Sequence, residues 1–112
     1  MKNEIPKNAL EFIKQCIREG KLYWTYHVNM RLERRTITRE MIISSLDNME
    51  IIEEYPDDKY LPSYLVLSKY KRILFHVLIA ADVIEENIRI ITAYIPDKGK
   101  WEEDFKRRRK KK

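Results

Sequence analysis

The chain has 112 residues, of which 44% are hydrophobic and 37% charged, with only two glycines and four prolines. This composition is typical of one folded globular domain and excludes a fibrous or disordered chain. The apolar runs are shorter than the roughly 20 residues that a bilayer span needs, and the N-terminus lacks the apolar core of a secretory signal. We therefore expect no membrane segment and a cytoplasmic location, with the single Cys16 as a small core residue.

The net charge of +5 is concentrated at the C-terminus. Seven of the 23 basic residues lie in residues 106–112, which leaves 16 basic against 18 acidic residues, a net charge of −2, in residues 1–105. We predict a single domain over residues 1–105 and a disordered basic tail over residues 106–112. Arg107, Arg108 and Arg109 of this tail are candidate RNA-binding residues, because arginine pairs with phosphate. The alternative is a solvated chain end.

Three helices are predicted in the N-terminal half of the chain. The first covers about residues 6–19, where apolar residues recur at helical spacing before Gly20, a residue that favours a helix C-terminus. The second covers about residues 26–35, with Thr25 as its N-cap, and the third about residues 39–47, with Thr38 as its N-cap, since a threonine hydroxyl accepts a hydrogen bond from the first turn.

From Met49 onward the hydrophobic period changes to two, which predicts four strands at about residues 50–55, 63–70, 72–83 and 87–95. Their short connections favour an antiparallel meander. The predicted fold class is α+β, with three N-terminal helices packed on a four-stranded antiparallel meander sheet. After Pro96, Trp101 and Phe105 have the spacing of a short C-terminal helical turn.

The standard catalytic and metal-binding motifs are missing from the sequence, including the glycine-rich phosphate loop, the paired-cysteine zinc spacing and the nucleophile elbow. We expect no cofactor and no metal. If residues 26–35 are helical, His27 and Arg31 lie one turn apart, and Arg34 or Arg35 lies a further turn along. That face would combine a titratable base with guanidinium donors for a phosphate group. The alternative is a solvated face paired with Glu33 and Asp47.

The predicted sheet carries further candidates. Strand alternation places His76 on one face with its apolar neighbours, either as a hydrogen-bonded core histidine or as a site residue. Thr92 and Tyr94 share a face of the last strand, either as packed side chains or as a phosphate ligand and a proton donor. The basic residues near the central hairpin, which either extend an RNA-binding surface or keep the hairpin soluble, are Lys69, Lys71 and Arg72.

Four blocks of the sequence, T-Y-H-V-N-M-R-L-E-R-R-T-I-T, H-V-L-I-A, I-I-T-A-Y-I-P-D and W-E-E-D-F-K-R-R, resemble the bacterial and archaeal domain-of-unknown-function family 4258. That family is similar to RelE-like and MqsR-like toxins, small α+β endoribonucleases that cleave messenger RNA and are often thought to pair with a small antitoxin, sometimes of zinc-finger type. The resemblance implies a RelE-like fold. The positions that it marks are His27, Arg31, Arg35, His76, Thr92, Tyr94 and Pro96, with Trp101 as a structural anchor. Thr36 stands where the family commonly has glycine, so either Arg34 or Arg35 faces the site.

The resemblance implies the toxin component of a type II toxin–antitoxin system, acting as a metal-independent endoribonuclease. In the expected mechanism His27 or His76 takes the proton of a ribose 2′-hydroxyl, Arg31 and Arg35 stabilise the phosphorane, and Tyr94 or the other histidine protonates the leaving oxygen. The expected partners are RNA, including ribosome-bound messages, and the antitoxin. The main alternative is a non-catalytic module that binds nucleic acid or protein. A metabolic enzyme of small acids is less favoured, because the sequence has no cofactor motif.

Overall fold

The computed structural model describes residues 4–25, 28 and 37–110, which contain two α-helices and one five-stranded sheet. A short 3-10 helix, Leu46–Asn48, follows the second α-helix. The helices are α1 (Ala9–Arg18) and α2 (Arg39–Ser44), and the strands are β1 (Leu22–Trp24), β2 (Glu50–Tyr55), β3 (Ser63–Tyr70), β4 (Ile73–Asp82) and β5 (Asn87–Tyr94). Across the sheet the strands follow the order β1-β5-β4-β3-β2.

Capping side chains define where both helices begin. The Asn8 side chain accepts a hydrogen bond from the Glu11 N–H at 3.1 Å, so α1 starts at Ala9. The Thr38 hydroxyl accepts from the Met41 N–H at 3.1 Å, as predicted for the N-cap of α2. This helix ends at Ser44, earlier than the predicted residue 47, because the chain then tightens into the 3-10 helix and the Ser45 hydroxyl donates to the Ile42 carbonyl at 2.7 Å.

The predicted fold class is wrong in two respects, the sheet and the C-terminal helical turn. Strand β1 pairs in parallel with β5, placing Leu22 opposite Ile88, so the sheet has five strands and is mixed rather than a four-stranded antiparallel meander. The described residues contain two of the three predicted helices, and the third, at residues 26–35, lies outside them except for Val28. The predicted C-terminal helical turn is absent from the described residues, because the Trp101 backbone instead forms an antiparallel bridge with Arg108.

The antiparallel part of the sheet, β2 to β5, has two irregularities. The register shifts between Ile51 and Glu53 where β2 pairs with β3. It shifts again between Leu78 and Ile79, which pair with Thr92 and Ile90. A bulge of this kind inserts one residue and re-aims the side chains that follow it. The second bulge lies directly beside the part of β5 that carries Thr92 and Tyr94.

The two faces of the sheet bury different groups. One face packs on α1 and α2 and forms the main core, whose fully buried members include Ile13, Val28, Ile42, Phe75 and Val77. The side chains that alternate with these along the strands point to the opposite side, which we call the outer face. Its members are Leu65, Leu67, His76, Leu78, Thr92 and Tyr94.

Residues 97–109, which we call the C-terminal strap, lie on the outer face. Trp101 is buried and its ring contacts the imidazole of His76. Lys106 pairs with Glu50 at 3.2 Å, and Arg108 pairs with Glu53 at 2.8 Å, so the strap also contacts strand β2. Part of the segment that the sequence assigned to a basic tail is therefore bound to the sheet.

Candidate functional site

His76 is at the centre of the candidate site. It lies on β4, directly opposite Tyr94 of β5, and its side chain is fully buried. Its Nε2 atom lies 2.7 Å from the Phe105 carbonyl oxygen and its Nδ1 atom lies 3.2 Å from the Tyr94 hydroxyl oxygen. Because a carbonyl oxygen only accepts, Nε2 carries the proton. In the neutral ring Nδ1 is therefore the acceptor, and the Tyr94 hydroxyl donates to it.

The C-terminal strap holds this imidazole in place. The Trp101 and Tyr94 rings both meet His76 edge to face, with centroid separations of 4.4 Å and 5.3 Å. Phe105 lies in a turn and has a left-handed backbone conformation, with a φ of 58°. Its carbonyl oxygen is the one that contacts Nε2. Burial lowers the pKa of His76, although the Phe105 carbonyl and the Glu53 carboxylate partly oppose the shift. The imidazole is thus neutral near pH 7 and can accept a proton.

An ion pair stands beside this arrangement. Arg108 donates from Nε to Glu53 Oε2 at 2.8 Å and from Nη2 to Glu53 Oε1 at 3.1 Å, the geometry of a bidentate pair. The guanidinium carbon lies 4.6 Å from the centre of the Trp101 ring, and the Tyr55 hydroxyl donates to Glu53. The hydrogen bonds from Arg108 lower the pKa of Glu53, and the same pairing raises the pKa of Arg108. Both groups remain charged near neutral pH.

Tyr55, Tyr94 and Arg108 border an open cavity of about 310 Å³ on the outer face, a size that suits a small ligand or part of a larger one. Asp58 lies at its edge and accepts a hydrogen bond from the Ser63 hydroxyl at 2.5 Å. Burial raises the pKa of Tyr94, so its hydroxyl keeps its proton near neutral pH. The cavity, hereafter the first cavity, is lined by Tyr55, Asp58, Ser63, Leu65, Leu78, Thr92, Tyr94 and Arg108.

The arrangement can move a proton. A ligand hydroxyl at the Tyr94 oxygen can transfer its proton there while Tyr94 passes its own proton to His76 Nδ1. The guanidinium of Arg108 carries five N–H groups, of which Nε and one at Nη2 hold Glu53, so others are able to meet an anion. His76 itself is fully buried and acts only through Tyr94, as a positioning and proton-accepting group.

The structure brings together four of the predicted site residues: His76, Tyr94, Thr92 and Arg108. The predicted catalytic residues His27, Arg31 and Arg35, and the predicted RNA-binding Arg34, lie outside the described residues. Their contribution stays a prediction.

The other predicted RNA-binding residues lie away from the first cavity. Lys69 is exposed on β3, opposite Leu74, and Lys71 forms the adjoining hairpin turn with Arg72. Arg107 pairs with Asp104, and Arg109 donates from Nε to the Lys98 carbonyl at 2.8 Å. Arg107 and Arg109 therefore make contacts within the strap.

Sequence reasoning missed Glu53, Tyr55, Asp58 and the Phe105 carbonyl as parts of the site. Glu53 and Tyr55 are two residues apart on a strand, which places them on one side of it, and that spacing was the available signal for the first pair. A backbone carbonyl that orients a histidine from 29 positions away leaves no mark in residue types. It depends on the path of the C-terminal strap.

The described residues contain neither a candidate metal site nor a membrane-spanning helix. In residues 4–25, 28 and 37–110, no group of three or more histidine, cysteine, aspartate or glutamate side chains is placed to hold a metal ion. No helix in the same part of the chain is long and apolar enough to cross a membrane.

Comparison with known proteins identifies one family. A family described as a domain of unknown function (DUF4258) matches residues 24–95, which include β1 to β5 except the first two residues of β1. The comparisons with curated proteins and with solved structures found no match. The matched range contains His76 and Tyr94 but ends before the strap that supplies Trp101 and Arg108.

Proposed function

We propose, from the premise that the chain belongs to the DUF4258 family of domains of unknown function, that this protein is a metal-independent endoribonuclease acting on messenger RNA. The observation that carries the proposal concerns Tyr94, which lines the first cavity and whose hydroxyl donates to the buried, neutral His76. Arg108 lines the same cavity. A proton acceptor and a fixed cation are two groups that assist phosphoryl transfer to a ribose 2′-hydroxyl.

In the proposed reaction a ribose 2′-hydroxyl gives its proton to the Tyr94 oxygen, and Tyr94 gives its proton to His76 Nδ1. The 2′-oxygen forms a bond to the adjacent phosphorus and the bond from phosphorus to the 5′-oxygen breaks. Arg108 stabilises the negative charge of the phosphorane. The 5′-oxygen takes a proton from His27, as the sequence predicts, or from His76 back through Tyr94. The products are a 2′,3′-cyclic phosphate and a 5′-hydroxyl, and the need for a 2′-hydroxyl selects RNA over DNA.

We further infer that the protein is the toxin of a type II toxin–antitoxin system, related to RelE-like and MqsR-like toxins and located in the cytoplasm, where its message substrates are. The support is the sequence resemblance described above together with the RNA-cleaving chemistry. Expression of the chain without a partner should arrest growth, whereas expression of the Tyr94→Phe variant should not. A small neighbouring gene for a zinc-finger or DNA-binding protein would supply the antitoxin. Harmless expression of the intact chain would contradict this role.

One observation favours a second function, a non-catalytic module that binds nucleic acid or protein. Both ring nitrogens of His76 are hydrogen-bonded and the ring is fully buried, which is also the description of a structural histidine. In that case Tyr94 and Arg108 contribute only to binding. The two functions differ in one respect, since the binding module leaves RNA intact at any protein concentration.

The experiment incubates purified protein with single-stranded RNA in excess chelator and identifies the fragment ends. The proposal predicts fragments that end in a 2′,3′-cyclic phosphate and their loss in Tyr94→Phe, by about 10²- to 10⁴-fold in rate. Tyr23→Phe is the matched control, because Tyr23 lies exposed on β1. Intact RNA across varied sequences and ribosome-bound messages would overturn the enzyme proposal and leave the binding module.

A further inference from the structure

A second cavity, of about 360 Å³, lies on the outer face next to the first. Asp58 lines both cavities. Leu78 lines the first and Ala80 the second, and these residues are two positions apart on β4, which corresponds to roughly 7 Å along a strand. The two cavities are therefore neighbours, and the step between them is comparable to one extended nucleotide.

The second cavity combines an aromatic ring with two cations. Tyr60 is 76% exposed, so much of its side chain is accessible to a ligand from solvent. The Lys59 ammonium lies 5.3 Å from the centre of that ring. Arg89 reaches the same cavity and holds Asp82 through one Nη2 contact at 3.4 Å, and a guanidinium has five N–H groups with which to bind.

We propose that the second cavity is a subsite for the neighbouring nucleotide of a single-stranded RNA whose reacting ribose occupies the first cavity. The base stacks on Tyr60 and the phosphate lies between Lys59 and Arg89. Exposed aromatic rings alternating with cations are the usual means of binding single strands, because every unpaired base has a face to stack. A duplex keeps those faces stacked internally and presents a regular backbone instead.

This inference rests on the proposed function, since the first cavity is taken to hold the reacting ribose. It adds the substrate class, a single strand of at least two nucleotides, and a role for three residues outside the reacting groups. The Asp58 carboxylate stands between the two cavities and accepts from Ser63. Its negative charge disfavours a phosphate at that point, so the backbone is expected to lie toward the cations on either side and a base amine toward Asp58.

Binding of 2′-O-methyl RNA tests the subsite independently of cleavage, because the methyl group blocks the attacking oxygen. A labelled dinucleotide and the corresponding mononucleotide are titrated with the protein, and anisotropy gives the two affinities. We expect the dinucleotide to bind more tightly. Tyr60→Ala should weaken dinucleotide binding roughly five- to 150-fold and leave mononucleotide binding unchanged. Lys59→Ala should weaken the salt dependence of binding, making the slope of log affinity against log salt less negative by about 0.7.

The matched controls lie on the helical side of the sheet. Lys7→Ala carries the same charge change as Lys59→Ala at an exposed position before α1, and Ile43→Ala removes an exposed apolar side chain from α2. Both should bind the dinucleotide as the unmodified protein does. Equal affinity for mononucleotide and dinucleotide, or unchanged dinucleotide binding in Tyr60→Ala and Lys59→Ala, would overturn the subsite. Dinucleotide binding without RNA cleavage would instead count against the catalytic proposal alone.

Discussion

The Nδ1 atom of His76 lies 3.2 Å from the hydroxyl oxygen of Tyr94, while Nε2 lies 2.7 Å from the carbonyl oxygen of Phe105. Because the Phe105 carbonyl accepts a hydrogen bond from Nε2, the imidazole carries its proton on Nε2. Nδ1 is then the acceptor nitrogen and faces the Tyr94 hydroxyl. A residue of the strap therefore decides which way a proton can move between two neighbouring strands. Long-range ¹H–¹⁵N correlation of the imidazole is expected to show the Nε2–H form near neutral pH.

Burial of His76 makes stability depend on pH. Its pKa is lowered from the model-peptide value of 6.5 in the folded protein, so the unfolded chain binds more protons as the pH falls below that value. The free energy of unfolding should therefore decrease as the pH falls from about 6.5 toward the lowered pKa, and change no further from this cause below it. Urea unfolding at pH 7.5 and pH 5 measures the difference.

Comparison with His76→Phe isolates the contribution of His76, because the substitution removes the buried imidazole and keeps most of its volume. Below pH 6.5 the variant should lose the part of the pH dependence that His76 causes. Its stability at pH 7.5 should fall by about 1–3 kcal/mol, since the Phe105 carbonyl and the Tyr94 hydroxyl lose a partner. An identical pH dependence in the two proteins would show that His76 does not titrate on unfolding.

Arg108 should matter more to activity than to stability. Its ion pair with Glu53 is partly exposed, at 58% and 22% of the two side chains, so Arg108→Ala should cost about 0–1 kcal/mol in unfolding free energy. RNA cleavage should fall by about 10²- to 10³-fold, because a fixed cation at the cavity is lost. Arg18, exposed on α1 and paired with Glu11 at 3.3 Å, provides the control, and Arg18→Ala should cleave normally.

Trp101 should be the principal anchor of the C-terminal strap. It is 3% exposed and lies between His76 and the Arg108 guanidinium, so Trp101→Ala should lose about 3–5 kcal/mol of unfolding free energy. Phe105→Gly should lose less, because it keeps the carbonyl that binds His76 and places glycine at a φ of 58°. Urea titrations measure both variants. Equal stabilities would mean that the indole does not anchor the strap.

The basic segment predicted from the sequence gives a separate expectation. His27→Ala and Arg31→Ala should each reduce RNA cleavage, if these residues supply the acid and a phosphate contact as the sequence predicts. Arg18→Ala is the control for the loss of a positive charge, since Arg18 is exposed on α1 and pairs with Glu11 at 3.3 Å. If the His27 variant cleaves RNA at the full rate, His27 is not the acid. The leaving 5′-oxygen would then take its proton from His76 through Tyr94.

Much of the sheet could be predicted because its residues alternate with a period of two over long stretches. The strands Glu50–Tyr55 and Ser63–Tyr70 have the predicted bounds. Strand β1 was missed because Leu22–Trp24 is only three residues long, too short for periodicity to show. Its partner β5 lies more than 60 positions away, so the parallel pairing is set by the tertiary fold.

The site was only partly predictable for the same reason. His76 and Tyr94 were predicted from residue type and strand alternation. Glu53 was not, because its partner Arg108 lies in the segment that the sequence analysis assigned to a basic tail. Charge counting treats residues 106–112 as a uniform run. The structure gives its members different roles, with Arg108 at the cavity and Arg107 on the surface.

The most direct test of the central claim is end-group analysis of a single-stranded RNA incubated in excess chelator with the unmodified protein, with Tyr94→Phe and with Tyr23→Phe. The account predicts fragments bearing a 2′,3′-cyclic phosphate with the unmodified protein and the Tyr23 variant, and intact RNA with the Tyr94 variant. Cleavage by Tyr94→Phe at the rate of the unmodified protein would contradict it, because the hydroxyl that joins the substrate to His76 would then be dispensable.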